Sequence, residues 1–168
     1  GIDVALLYNK AIFTVTNAET FSIYLQDEEG QRDYTRDILL VEGTIANDKI
    51  CILVNHWSSR RKGEKETEHK RITAANKVNS IIKTLRSKNE NAKIIVMGDF
   101  NDNPNNNSVQ LIEKESNLHN PFKTIWSNYK GSLNHDFEWH LFDQILCSTN
   151  FFNANKNEVS FSNADIFD

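Results

Sequence analysis

Lys93-Ile94-Ile95-Val96-Met97-Gly98-Asp99-Phe100-Asn101-Asp102-Asn103-Pro104 is the stretch on which the reading of this chain turns. Lys93–Met97 is a continuous apolar run, the pattern of a central strand covered on both faces. Gly98 ends it, and a carboxylate and an amide follow two residues apart, Asp99 and Asn101. On extended backbone these two side chains point to the same side. A carboxylate with an amide oxygen suits a hard cation such as magnesium or manganese. The carboxylate could equally orient and deprotonate a water. The same residues also read as an Asx-rich turn leading into a helix.

Upstream, Thr67–Ser87 carries Ile72, Ala75, Val78, Ile82 and Leu85 at helical spacing, an amphipathic helix with one face for a sheet. Before it, Asp37–Ile45 and Lys49–Asn55 are rich in β-branched residues and joined by Ala46-Asn47-Asp48, a hairpin signal. Phe13–Leu25 alternates as a strand, with a break near Asn17-Ala18-Glu19 that reads as a hairpin or bulge. Val4–Tyr8 is a further short apolar strand, and Asp27-Glu28-Glu29-Gly30 a charged turn. Downstream, a short helix starts near Asn107 or Ser108 and carries Val109, Leu111 and Ile112; Leu141–Ser148 reads as a buried strand, and Val159–Phe161 as the start of another. No repeat, linker or shift in composition divides residues 1–168, which form one domain or part of one. Meandering strands with helices on sheet faces make an α/β or α+β sandwich.

Catalytic groups gather on loops at the ends of rigid strands, and two more such loops stand out. Val54-Asn55-His56-Trp57-Ser58-Ser59-Arg60-Arg61 places a histidine directly after an apolar strand, where it can donate to a phosphoryl oxygen or cap the strand end. Residues 60–71 hold six Lys or Arg against three Glu, and Arg60 and Arg61 could grip a phosphate bidentately or lie on a solvated loop. Trp57 read alone is packing rather than a stacking platform. In Trp139-His140-Leu141-Phe142-Asp143-Gln144-Ile145-Leu146 an aspartate opens an apolar strand. Burying it unpaired would be costly, so it calls for a histidine, arginine, metal or capping partner.

Composition narrows the field. At 168 residues, 39% hydrophobic and 25% charged, the chain can bury a real core. No apolar run approaches the roughly 20 residues a membrane helix needs. Its net charge of −4 argues against broad, non-specific nucleic-acid binding, which wants a basic face, and leaves room for a small basic patch around a phosphate. Cys51 and Cys147 sit in apolar stretches and read as buried free thiols, which leaves the compartment undetermined. The first residues show no charged n-region of a signal peptide, although a piece cut from a longer protein could have lost one.

Taken in order, Gly1-Ile2-Asp3-Val4-Ala5-Leu6-Leu7-Tyr8, Asn55-His56-Trp57-Ser58-Ser59-Arg60, Gly98-Asp99-Phe100-Asn101-Asp102 with Pro104, and Phe142-Asp143-Gln144-Ile145-Leu146 resemble the endonuclease/exonuclease/phosphatase family. The resemblance implies a four-layer α/β sandwich of two mainly antiparallel sheets flanked by helices. It also implies hydrolysis of a phosphodiester or phosphomonoester by in-line attack of water, with Mg2+ or Mn2+ stabilising the developing charge. Four catalytic roles follow: His56 on the scissile phosphate, Asp99 orienting and activating the water, Asn101 positioning the phosphate or a metal-bound water, and Asp143 orienting a catalytic histidine. Asp99 and Asn101 would face the metal, while Asn55, Trp57, Arg60 and Arg61 would line the substrate. A Trp after the His with Ser-Arg-Arg nearby resembles uncharacterised bacterial hydrolases, so the substrate, nucleic acid or a small phosphodiester, is not inherited.

The departures carry their own expectation. Family members place an Asn and a metal-binding Glu ahead of the segment matching Gly1, and end in Ser-Asp-His; this sequence shows neither. His119, His135 and His140 fall outside the order and read as surface residues. The chain is thus expected to be the C-terminal portion of a phosphoesterase, inactive alone and short of strands in one sheet, with exposed apolar surface inviting self-association. The competing reading is a non-catalytic binding module that keeps the fold.

Overall fold

A computed structural model describes residues 4–167, so Gly1-Ile2-Asp3 of the first matching segment lies outside the described residues. The chain-order elements are β1 (Phe13–Phe21), β2 (Leu25–Gln26), β3 (Arg32–Asp33), β4 (Ile38–Ile45), β5 (Asp48–His56), α1 (Glu64–Lys88), β6 (Lys93–Asp99), α2 (Asn107–Glu115), β7 (Leu118–His119), β8 (Leu133–His135), β9 (Glu138–His140) and β10 (Asp143–Ser148). Six of the strands form one sheet in the order β1-β4-β5-β6-β10-β7, and β2–β3 and β8–β9 are separate two-stranded ribbons. Every neighbouring pair in the large sheet is antiparallel except β5 and β6, which run parallel. A parallel pair cannot be closed by a tight turn, and α1 supplies the crossover.

Alternation along the strands sorts the core into two faces. Cys51 and Leu53 of β5, Ile94 and Val96 of β6, and Leu40 of β4 point toward the helices, where Ala74, Ala75, Val78, Ile82 and Leu85 of α1 and Val109 and Ile112 of α2 meet them. Each fully buried Val, Leu or Ile there contributes about 1.5–3 kcal/mol. α1 carries Glu64 and Glu66 in its first turn and Arg86 and Lys88 in its last, the charge order its dipole favours. The other face holds Phe13, Val41, Ile50, Cys147 and Phe151 with half-buried Leu39, Ile52 and Ile95 around them. Ile145 there is 40% exposed, and among the described residues no second large sheet covers this face. The expected α/β layering is present; the burial of β6 on both faces is complete only on the helical side.

Most predicted elements fall where expected, with three differences. Val4–Tyr8 forms no strand, and Leu7 is 96% exposed, because no neighbouring strand offers it a ladder. Val159–Phe161 likewise stays outside the sheet and ties back through the Val159 N–H donating to Asp48 Oδ2 at 2.6 Å, Lys93 Nζ donating to the Val159 carbonyl at 2.7 Å, and the Phe161 N–H donating to the Phe151 carbonyl at 2.9 Å. The break in Phe13–Leu25 is a bulge: the β1–β4 register slips between Val15 and Asn17, β1 ends at Phe21, and Leu25 belongs to a separate ribbon. Cys51 and Cys147 are buried free thiols, and burial pushes each up to about 11.

Candidate functional site

The parallel register sets His56 at the end of β5 directly beside Asp99 at the end of β6. Ligand sites in sheets of this kind form outside the carboxyl ends of the strands. His56 Nε2 lies 3.6 Å from Asp99 Oδ2, and each side chain keeps 32% of its surface exposed. Both open into a cavity of about 820 Å³ whose wall also includes Arg36, Arg60, Arg61, Asn101, His140 and Phe142.

Two features bring the strand ends this close. Gly98 has φ +129°, and a Cβ there would collide with the Asn55 carbonyl, so only glycine lets β6 run against β5 at this point. Below the cavity floor, Trp57 is fully buried and donates from Nε1 to Asn55 Oδ1 at 3.0 Å. Asn55 in turn donates to the carbonyls of Leu53 at 3.1 Å and Met97 at 3.4 Å, which cross-links β5 to β6. The Trp57 N–H donates to the Asp99 carbonyl at 2.9 Å, and its ring meets Phe100 edge-on at 4.7 Å. Asn55 and Trp57, expected to line the substrate, are therefore buried braces beneath the site.

Asn101 does not follow Asp99 on extended backbone: its φ is +50°, the left-handed region that asparagine tolerates. The turn is held by the Asn101 N–H donating to Asp99 Oδ1 at 2.8 Å and by Asn101 Nδ2 donating to the Trp57 carbonyl at 3.0 Å. The Asx turn and the functional arrangement thus coexist, since both side chains still border the cavity.

Burial chiefly pushes the Asp99 carboxyl above the usual range, and the charge of Asp143 adds to it. The Asn101 N–H, His56 and Arg36 pull the other way without cancelling the rise. Asp143 is the cross-strand partner of Asp99 on β10. It is exposed, not buried as its place in an apolar strand suggested, because it shares the face of half-exposed Ile145, which no second large sheet covers among the described residues. Among the described residues no histidine pairs with it.

Arg60 is held by the protein. Its Nε donates to the Asn101 carbonyl at 2.6 Å, Nη2 to Asp102 Oδ1 at 2.6 Å and Asn106 Oδ1 at 2.8 Å, and Nη1 pairs with Glu64 at 2.8 Å. Four of its five N–H groups are engaged, leaving no fork for bidentate capture of a phosphate. Asp102 is buried, pairs with the fully buried Arg71 of α1 at 2.8 Å, and accepts from Ser108. This network locks the loop after β6 to α1 and α2. Arg61, by contrast, is exposed on the cavity rim.

Sequence reasoning missed two parts of the wall. Arg36, ahead of β4, donates to the Trp57 carbonyl at 3.5 Å and turns its charge toward Asp99; a lone arginine before a strand gave no signal. The β8–β9 ribbon folds over the site and brings Leu133, His135 and His140 to it. His140, read as a surface residue, is half-buried, stacks on Phe142 at 5.0 Å and faces Asn103 Nδ2 at 3.3 Å. His119 is exposed on β7, as expected.

For a divalent cation, the oxygen donors Asp99 and Asn101 with Asp143 nearby have the right hardness. Among the described residues, however, no cluster of three or more His, Cys, Asp or Glu converges as a complete metal site. The chain therefore fits one side of a coordination shell. No helix among the described residues is long and apolar enough to cross a membrane.

Several solved structures share this fold. The human Nocturnin catalytic domain, solved with a bound sulfate anion, superposes with a TM-score of 0.61 at 18% identity, covering 84% of this chain and 50% of that one. Truncated Caenorhabditis elegans TDP2 gives 0.54 at 16% identity, covering 82% and 53%. An endonuclease/exonuclease/phosphatase family protein from Bacteroides thetaiotaomicron gives 0.56 at 18%, covering 85% and 54%. The chain spans about half the length of these structures, and at such identity they speak for the fold alone. No curated protein matches the sequence significantly. The model of the endonuclease/exonuclease/phosphatase family matches residues 1–168, and with the strand-end histidine and aspartate placed as above, the chain belongs to that family.

Proposed function

We propose that this chain carries the phosphate-binding and water-activating part of a divalent-metal phosphoesterase. The observation that carries the reading is the His56–Asp99 pair at the ends of the only parallel strand pair among the described residues, open to a cavity bordered by Arg36 and Arg61. His56 donates to a phosphoryl oxygen. Asp99, kept partly out of water and hydrogen-bonded by the Asn101 N–H, accepts the proton of the attacking water. A carboxyl pushed upward is a better base than an ordinary one, and burial supplies that push. Asn101 uses its Nδ2 on the Trp57 carbonyl, so its Oδ1 is the end offered to the cavity. Arg36 and Arg61 neutralise the phosphate charge that builds in the transition state. A bound Mg2+ or Mn2+ would be held by Asp99 and Asn101 and would supply Lewis-acid stabilisation of that charge.

The test is Mg2+-dependent hydrolysis of bis-p-nitrophenyl phosphate by the full-length protein. Removing an acid–base group typically costs about 10²–10⁴-fold, and His56→Ala and Asp99→Ala are each expected to fall in that range. Near-normal turnover by either variant would sink the role assigned to it.

A further inference from the structure

A second cleft of about 500 Å³ opens beside the first, between the segment leading into β4 (Asp33, Tyr34, Thr35, Arg36), the loop after β5 (Ser58, Ser59, Arg61, Lys62) and the first turns of α1 (Thr67, Lys70). It shares Arg36, Ser59 and Arg61 with the His56–Asp99 cavity, so the two are continuous. Four cations face one carboxylate in it, in a protein of net charge −4. That carboxylate, Asp33, is taken up by Lys70, which holds it below the ordinary range. Among the described residues, Arg36, Arg61 and Lys62 have no carboxylate at ion-pair distance. Thr35 and Ser58 add hydroxyls 3.4 Å apart on the floor.

Cations on a solvated loop ordinarily splay apart. Here they converge in a concave site from three segments distant in sequence, against like-charge repulsion that Asp33, already held by Lys70, and the more distant Asp99 relieve only in part. A ligand bearing negative charge relieves it. We infer that this cleft binds a second phosphate of the substrate, next to the phosphate held by His56, and that the protein acts on compounds carrying two phosphate groups. The inference rests on the phosphoesterase reading for the first phosphate only. Tyr34, 83% exposed at the rim, presents a ring on which a base can stack, which separates a nucleoside source of the second phosphate from a sugar source.

The experiment is calorimetric titration of the full-length protein in chelator, so that nothing turns over. The probe pairs are adenosine 3′,5′-bisphosphate against adenosine 5′-monophosphate, and fructose 1,6-bisphosphate against fructose 6-phosphate. A second phosphate meeting Lys62 together with the shared Arg36 and Arg61 should tighten binding by about tenfold or more over the monophosphate. Lys62→Glu, an exposed position outside the first cavity, should cut that preference to within about threefold while leaving the monophosphate unchanged. Preference in both pairs supports the subsite for either source. Preference in the nucleoside pair alone, lost in Tyr34→Ala, supports it and assigns a nucleotide. No preference in the wild type, or a preference surviving Lys62→Glu, overturns it. Hydrolysis of bis-p-nitrophenyl phosphate, which has one phosphate, is measured on the same preparations. Absent hydrolysis with intact preference refutes the catalytic reading and leaves the subsite standing; intact hydrolysis without preference does the reverse.

Discussion

Asp102→Ala tests whether the catalytic loop is anchored to the core as the structure indicates. Asp102 is 1% exposed and joins three elements: Arg60 after β5 at 2.6 Å, Arg71 of α1 at 2.8 Å and Ser108 of α2. Arg60 has other acceptors and partial access to water. Arg71 has neither relief in full: it is fully buried, and its remaining partners are Thr67 Oγ1 and the Glu64 carbonyl at 2.8 Å and the Ser58 carbonyl at 3.5 Å, all uncharged. Removing one partner of a buried ion pair costs roughly 3–5 kcal/mol, because the other charge stays buried. That is a large share of a total stability of about 5–15 kcal/mol. In urea, with a slope of about 2–3 kcal/mol/M, the unfolding midpoint should fall by roughly 1–2 M at unchanged slope. Asp102→Ala with Arg71→Met should recover much of that loss, since replacing both partners by apolar groups is often near neutral. A loss below about 1 kcal/mol in the single variant, or no recovery in the double, would refute the anchoring argument.

Asp99→Asn should stabilise the protein while removing its activity. A carboxyl raised on folding contributes stability that is present below its unfolded value of 3.8 and is lost as pH rises through the raised value, so the variant's advantage should be absent in acid and grow toward neutrality. Denaturation midpoints between about pH 3 and pH 8 check this, and an advantage that is largest in acid would contradict the sign. Gly98→Ala should destabilise by at least about 1–3 kcal/mol, because the left-handed backbone and the Asn55 carbonyl both exclude a Cβ; thermal unfolding reads it. Trp57→Ala should cost about 3–5 kcal/mol as a core cavity, and a merely weakened substrate affinity with unchanged stability would show that Trp57 meets substrate after all.

The β5-α1-β6 unit was legible because each of its parts has one dominant signal. The apolar run at Lys93–Met97, the β-branched strands before it and the helical spacing from Ile72 to Leu85 each point to a single element, and α1 (Glu64–Lys88) encloses the predicted Thr67–Ser87. His56 and Asp99 were legible for the same reason, as polar residues directly after such runs. The β8–β9 ribbon was not, and its turn explains why. Asp136 and Phe137 both adopt positive φ, 52° and 63°, a conformation usually flagged by Asn-Gly or Asp-Gly. With phenylalanine at the second position the hairpin carries no such mark, and His140 was left without a reason to approach the site. Val4–Tyr8 failed in the opposite direction: an apolar pattern is necessary for a buried strand but does not supply the neighbour that buries it.

Arg60 shows how a correct motif can carry a different task from the one its residue type suggests. Paired arginines after a strand suggest two phosphate clamps, yet Arg60 spends four donors on the loop that holds Asn101. Its guanidinium also lies 4.7 Å over the Phe142 ring, just ahead of Asp143. One residue therefore ties the ends of β6 and β10, the strands that bear Asp99 and Asp143, to α1 and its buried Arg71. A site assembled from the ends of separate strands must hold its groups to within a fraction of an ångström to work, and a saturated arginine does that better than a free one. The free cations are then Arg36 and Arg61 on the cavity wall, with Lys62 beyond them, and these can meet the charge of a ligand without loosening the frame that positions the reaction.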